Sequence, residues 1–213
     1  MATNIFLVRH GQSEANKDDA FIGHTDLDLT EKGHMQAEKA AEYMMGIHCD
    51  AIYSSDLKRA YNTAEHFSRK KGIPVIKSEK LREINGGEWE NMPFSVLRKE
   101  YRDTFALWCD NVGLSACPGG ESVVEMMDRV EGEIRRIAEK HDGEDVFIFT
   151  HSTPIRTLKG RWDGLDIRDL DIVPWPANAS ITQVRYENGR FENISYAQRD
   201  FLEDLVTFLP EGV

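Results

Sequence analysis

Residues 5–13 read Ile5-Phe6-Leu7-Val8-Arg9-His10-Gly11-Gln12-Ser13. Four apolar residues, aromatic or branched, stop abruptly at a cation, an imidazole and a glycine. A run this short and this apolar, closed by a glycine, reads as a strand buried on both faces that ends in a loop. Three more stretches repeat the pattern. Asp50-Ala51-Ile52-Tyr53 stops at Ser54-Ser55, and Pro74-Val75-Ile76-Lys77 follows a glycine. Asp145-Val146-Phe147-Ile148-Phe149-Thr150, the strongest of the four, stops at His151.

Helical patterns lie between these strands. From Thr30 to about Ile47 the apolar positions Ala37, Ala40, Ala41, Met44 and Met45 recur at helical spacing, with Thr30 as the N-cap. Residues 56–71 read as a helix stopped by Gly72, and residues 93–110 as one opened by Pro93. Ser122 with Glu125 forms a capping box for a helix running to about His141, and Pro154 opens another. Residues 180–186 and 191–196 flank Asn188-Gly189 as a terminal hairpin. Strands alternating with helices predict an α/β fold. We expect a three-layer sandwich with a mostly parallel central sheet, helices on both faces and an antiparallel edge. One domain is expected over residues 1–213, with a cap-like insertion at about 86–120.

Composition narrows the partners. The 213 residues carry 26 Lys and Arg against 37 Asp and Glu, a net charge of −11 that disfavours nucleic acid and anionic membrane surfaces. No stretch approaches 18 apolar residues, and the first residues lack the basic start of a signal peptide. Cys49, Cys109 and Cys117 are too few and too scattered for a disulfide framework or a CxxC metal site. They read as inert thiols in a reduced, cytoplasmic protein. Oligomeric state stays open, a homodimer included.

Ligands of open α/β sheets collect beyond the carboxyl ends of the strands. The residues expected there are Arg9-His10, then Ser54-Ser55-Asp56 with Arg59 one turn on, then Glu83 after the third strand, then His151-Ser152. Two histidines, two arginines and a carboxyl group at one edge suit phosphoryl transfer. Guanidinium forks match the peripheral phosphoryl oxygens. A neutral imidazole attacks phosphorus in line, which makes His10 the nucleophile, and nearby arginines favour its neutral form. The free amides of the helix after His151 would add to the anion site. A carboxyl group buried beside Ile84 and Trp89 suits the general acid, which makes Glu83 the proton donor. This chemistry calls for no metal and no cofactor.

At these residues the chain resembles the histidine phosphatase superfamily, also called phosphoglycerate-mutase-like. The marks are Leu7-Val8-Arg9-His10-Gly11-Gln12-Ser13 with Asn16, Phe21-Ile22-Gly23-His24-Thr25, Tyr53-Ser54-Ser55-Asp56-Leu57-Lys58-Arg59-Ala60, Leu81-Arg82-Glu83-Ile84 with Gly87-Glu88-Trp89-Glu90, Pro118-Gly119-Gly120-Glu121-Ser122, and Thr150-His151-Ser152. The resemblance implies a phosphohistidine intermediate on His10. It also implies a phosphate pocket of Arg9, Arg59 and His151 assisted by Asn16, with Glu83 as proton donor. Ile22, Gly23 and Ser152 fall where substrate contacts are expected. Relatives often carry glycine after Trp-Glu, where this chain has Asn91, which leaves the local turn to be checked. Mutases of the family carry a longer basic insertion soon after the acid, whereas residues 86–92 here are acidic.

The expected function is thus a metal-independent phosphomonoesterase for small phosphorylated metabolites, of the α-ribazole or broad-specificity branch. A phosphoglycerate mutase and a phospho-ligand-binding regulatory module with little turnover are the rivals. Phosphate release versus isomerisation separates the first rival, and inertness towards phosphomonoesters would favour the second.

Overall fold

A computed structural model describes residues 1–209, so the last four residues of the expected domain lie outside the described residues. The strands are β1 (Thr3–Arg9), β2 (Ala51–Ser54), β3 (Val75–Lys77), β4 (Asp145–Thr150), β5 (Ile181–Glu187) and β6 (Arg190–Gln198). They form one sheet in the order β3-β2-β4-β1-β5-β6. The first four of that order run parallel, while β5 pairs antiparallel with β1 and β6 with β5. This is the expected mixed sheet with a hairpin at its edge.

Side chains alternate cleanly across the central strands. Ile5, Leu7, Tyr53, Val146 and Ile148 face one layer, built by Met126, Val130, Ile134 and Ile137 of α6 (Val123–Lys140) and by Ile155 and Leu158 of α7 (Ser152–Trp162). Phe6, Val8, Ile52, Phe147 and Phe149 face the other, built by Ala40, Ala41 and Met44 of α2 (Glu31–Met44) and by Ala64 and Phe67 of α3 (Lys58–Lys71). The caps read from the sequence form. Thr30 Oγ1 accepts the Gly33 amide at 3.0 Å, Ser122 and Glu125 cap α6 reciprocally, and Gly72 closes α3 at φ +71°. Among the described residues, no helix is long and apolar enough to cross a membrane.

Four local differences have physical causes. The helix expected over 93–110 is two, α4 (Phe94–Glu100) and α5 (Arg102–Asp110), broken at Tyr101. No glycine or proline marks that break. It wraps the segment round the Trp89 indole, which Tyr101, Phe105 and Trp108 meet edge-on at 6.2, 5.6 and 6.0 Å. Secondly, α7 starts at Ser152, before Pro154, which the first turn tolerates because its amides have no helical acceptor. Thirdly, a one-turn helix α1 (Glu14–Lys17) is too short to show periodicity, and a reciprocal Ser13–Asn16 cap makes it. Fourthly, Asn91 takes φ +62°. Asparagine tolerates this left-handed conformation, so the turn forms here without a glycine.

Glycine decides how closely α2 approaches the end of β1. A Cβ at Gly33 would lie 2.0 Å from the Gln12 carbonyl oxygen, and one at Gly11 would lie 2.4 Å from that of Gly33. Two backbones thus touch directly beneath His10. Gly33→Ala should therefore shift the 10–12 loop, costing about 1–3 kcal/mol in urea denaturation together with most of the turnover. A variant of unchanged stability and activity would contradict this packing.

Candidate active site

Level strand ends create the site. Arg9 and Thr150 are register partners on β1 and β4, so His10 and His151 leave adjacent strands at one height. Beside them, β2 ends at Ser54, and α3 brings Arg59 back over the same rim. They border a cleft of about 500 Å³, its open mouth included, whose polar lining is Arg9, His10, Ser13, Asn16, Arg59, Glu83, Ser152 and Thr153. Phe21, Ile22, Phe94, Trp108 and Trp175 make much of the apolar lining.

The tautomer of His10 follows from its partner. Nδ1 lies 2.7 Å from the Gly11 carbonyl oxygen, which can only accept. Nδ1 therefore carries the proton, and Nε2 keeps its lone pair. Burial, reinforced by the Arg59 and Arg9 charges, pushes the His10 pKa well below its ordinary 6.5. Burial first, then Arg59, does the same to His151. The two rings meet edge-on at 5.1 Å, and Ser55 Oγ holds His151 Nε2 at 2.9 Å.

Both arginines are buried cations. Arg9 Nη1 donates to the Pro176 carbonyl at 2.5 Å, while its Nε and Nη2 have no partner among the described residues. Arg59 donates to the Gly23 and Thr25 carbonyls at 2.7 and 2.9 Å. Burial lowers each pKa to about 10, opposed by the nearby Glu83 charge, so both stay charged near neutrality. Neutral carbonyls steer these guanidinium groups without cancelling their charge. A buried positive field of this kind calls for an anion.

Glu83 is equally fixed. One carboxylate oxygen accepts the Ile84 amide at 2.9 Å, and the other meets the Ser152 hydroxyl at 3.3 Å and the Thr153 amide at 3.2 Å. The Thr153 amide, which the sequence pattern assigned to the bound anion, thus serves the carboxyl group instead. Behind it, the Glu83 carbonyl takes His24 Nε2 and Arg129 Nη2, each at 3.0 Å. Glu121 pins the same arginine through two bonds of 2.7 Å.

Glu90 also lies outside the cleft's lining, but it holds the loop that holds Arg59. Its carboxylate accepts the amides of Gly23, His24, Thr25 and Gly86, and the Thr25 hydroxyl. Burial opposes its ionisation. The Thr25 hydroxyl and the surrounding amides outweigh that and hold its pKa below the usual carboxylate range.

This arrangement matches a known family. The model of the histidine phosphatase superfamily (branch 1) matches residues 5–198. The chain belongs to the histidine phosphatase superfamily. It is 33% identical over 189 residues to phosphoserine phosphatase 1 of Hydrogenobacter thermophilus, covering 87% of this chain and 88% of that one. It is 28% identical to the adenosylcobalamin/alpha-ribazole phosphatase of Escherichia coli, covering 76% and 79%. Bacillus stearothermophilus YhfR superposes with a TM-score of 0.90 at 28% identity, over 94% of this chain and 100% of that one. A mycobacterial glucosyl-3-phosphoglycerate phosphatase superposes at 0.85 with 25% identity, over 93% and 100%. Phosphomonoester hydrolysis, the activity expected from the sequence, agrees with the family and with these named phosphatases.

The structure gathers His10, Arg9, Arg59, Glu83, Asn16, Ile22 and Ser152 at one cleft, with His151 against His10. Gly23 is not among the lining residues and instead offers its carbonyl to Arg59. Asp56 pairs with Arg82 rather than with Arg59. Sequence reasoning passed over His24, Glu90, Arg129 and Asn178. Glu90 and His24 lay within quoted motifs, whereas nothing local marks Arg129 or Asn178.

The two lowered imidazole pKa values make stability depend on pH. Once unfolded, both groups return to about 6.5 and take up protons that the folded chain refuses. Their contribution is complete above pH 6.5 and is lost as pH falls below it, by up to about 1.4 kcal/mol per pH unit for each histidine. Urea denaturation between pH 7.5 and 5 in phosphate-free buffer should show this slope. Replacing His10 and His151 by glutamine should flatten it.

Proposed function

We propose that this chain hydrolyses small phosphomonoesters through a covalent phosphohistidine on His10. Nε2 attacks phosphorus in line with the ester oxygen. The P–O bond breaks, and Glu83 delivers its proton to the leaving alcohol. Water then attacks phosphohistidine in line, giving its proton to Glu83, and inorganic phosphate leaves with His10 restored. Arg9 and Arg59 hold the peripheral oxygens with His151, and the Asn16 amide adds a donor. Preorganised donors of this kind stabilise the charge that spreads over those oxygens in the transition state.

One observation carries the reading. An imidazole that keeps its lone pair at Nε2 lines the same cleft as two buried guanidinium groups and a buried carboxyl group. That is the set a double displacement at phosphorus requires. The cations supply the charge neutralisation that a metal gives other phosphatases. Among the described residues, no group of three or more His, Cys, Asp or Glu could hold a metal ion.

The acidic 86–92 stretch and the phosphatase names of the relatives support hydrolysis over isomerisation. We also infer that residues 86–120 act as a cap within a single domain, since Trp89, Phe94, Phe105 and Trp108 share one buried cluster with α6. The free cysteines, with burial raising Cys49 to about 11 and Cys117 still higher, fit the proposed cytoplasmic setting.

His10→Ala should abolish phosphate release from a panel of phosphomonoesters, while EDTA leaves the unmodified protein active. Alkaline quenching during turnover should trap phosphohistidine, and its absence would overturn the covalent route. Glu83→Gln should slow alkyl phosphates by about 10²–10⁴-fold but nitrophenyl phosphate far less, because that leaving group departs without a proton. Equal losses on both would remove Glu83 from the proton-donor role.

A further inference from the structure

The turn Pro176-Ala177-Asn178-Ala179-Ser180 leads into β5 and meets three site residues at once. The Pro176 carbonyl takes Arg9 Nη1 at 2.5 Å. The Ala179 amide and Asn178 Nδ2 both donate to the His10 carbonyl at 3.1 Å. Asn178 Nδ2 also reaches Asn16 Oδ1 at 3.3 Å. Asn178 is fully buried and is not among the cleft's lining residues. Ala179 is held at φ +56°, in the left-handed region that a non-glycine residue enters only when its surroundings compel it.

Two partners with a single possible role fix both amide orientations. The His10 carbonyl only accepts, so the Asn178 atom beside it is the nitrogen. The Ser13 amide, 3.1 Å from the Asn16 side chain, only donates, so the Asn16 atom there is the oxygen. Asn16 Oδ1 also takes the Ser13 hydroxyl. A flipped Asn16 would set its own N–H groups against the Ser13 amide and Asn178 Nδ2. Its amide nitrogen is therefore the end left to serve an anion. On the far side, Thr207 grips Asn178 twice. Its hydroxyl donates to Asn178 Oδ1 at 3.0 Å, and its carbonyl takes the Asn178 amide at 3.1 Å. Gln36, also fully buried, joins the Thr207 hydroxyl at 2.8 Å and accepts the Gln12 amide at 2.7 Å.

We propose that Asn178 is a positioning residue of this phosphatase, one that holds the His10 backbone and locks the Asn16 amide as a donor towards the phosphoryl group, with Thr207 locking Asn178 in turn. This rests on the reading that His10 and Asn16 hold the phosphoryl group. It adds that Thr207, in the segment after β6, is part of the catalytic architecture without lining the cleft.

Vanadate inhibition and kcat/KM test it, with thermal melts confirming folded protein at the assay temperature. Asn16→Ala and Asn178→Ala should each weaken vanadate inhibition about tenfold. The double variant should be little worse than Asn16→Ala alone, since coupled residues are not additive. Should Asn178→Ala fail to fold, Thr207→Val removes only the hydroxyl and should give a smaller loss of the same kind, with Thr207→Ser restoring it. Vanadate affinity unchanged in Asn178→Ala, or in Thr207→Val, overturns the positioning role. Full additivity in the double variant does so as well. A normal Asn16→Ala would instead remove Asn16 from the phosphate pocket. His10→Ala that still turns over would overturn the phosphohistidine reading itself.

Discussion

Two guanidinium charges withdrawn from water, Arg9 and Arg59, set the terms for the rest of this fold. Burying a cation is costly unless polar groups surround it. Here backbone carbonyls of Pro176, Gly23 and Thr25 do so. Carbonyls orient the forks but leave their charge available. Much of the molecule then exists to keep those carbonyls in place. Glu90 gathers the amides of the 23–25 loop, and the 176–180 turn sits on the end of β1. The same dryness that strengthens the pull on a phosphate also keeps His10 and His151 unprotonated. Burial pushes all four groups towards neutrality: the histidines lose their protons, while the arginines, lowered only to about 10, keep theirs.

Glu83 is handled differently from the other carboxyl groups near the site. Glu90 and Glu121 are anchored by several donors each and act at a distance, through a loop and through Arg129. Glu83 has its backbone carbonyl pinned by His24 and Arg129, while its side chain shares the cleft with His10. A rigid backbone under the proposed proton donor is an economical design. In the proposed cycle the group changes its bonding without changing its place.

Much of this was legible from particular residues. The apolar runs ending at Arg9-His10 and at Thr150-His151 revealed the parallel strands and the rim where chemistry collects, because strand direction fixes which end a side chain reaches. Arg59 was legible by its offset from the second strand, and the Ser122–Glu125 cap by local bonding. The rest failed where long-range contacts decide. Tyr101 breaks a helix because of Trp89, and the first amides of α7 serve Glu83 rather than an anion. Asn178 and Arg129 earn no local signal, since the site backbone they hold, at His10 and Glu83, lies 168 and 46 residues away. Glu90 stands in a quoted motif that gives it no role, and its five donors make it an anchor.

The aromatic lining of the cleft carries an optical consequence. Of the four tryptophans in the chain, Trp108 and Trp175 border the cleft and stack on each other at 6.2 Å, while Trp89 meets Trp108 edge-on. Trp162 lies apart, stacked on Phe191 near the edge hairpin. Three of the four indoles therefore lie at the cleft or packed on its wall. Intrinsic fluorescence becomes a built-in reporter of what enters that cleft, with no added label.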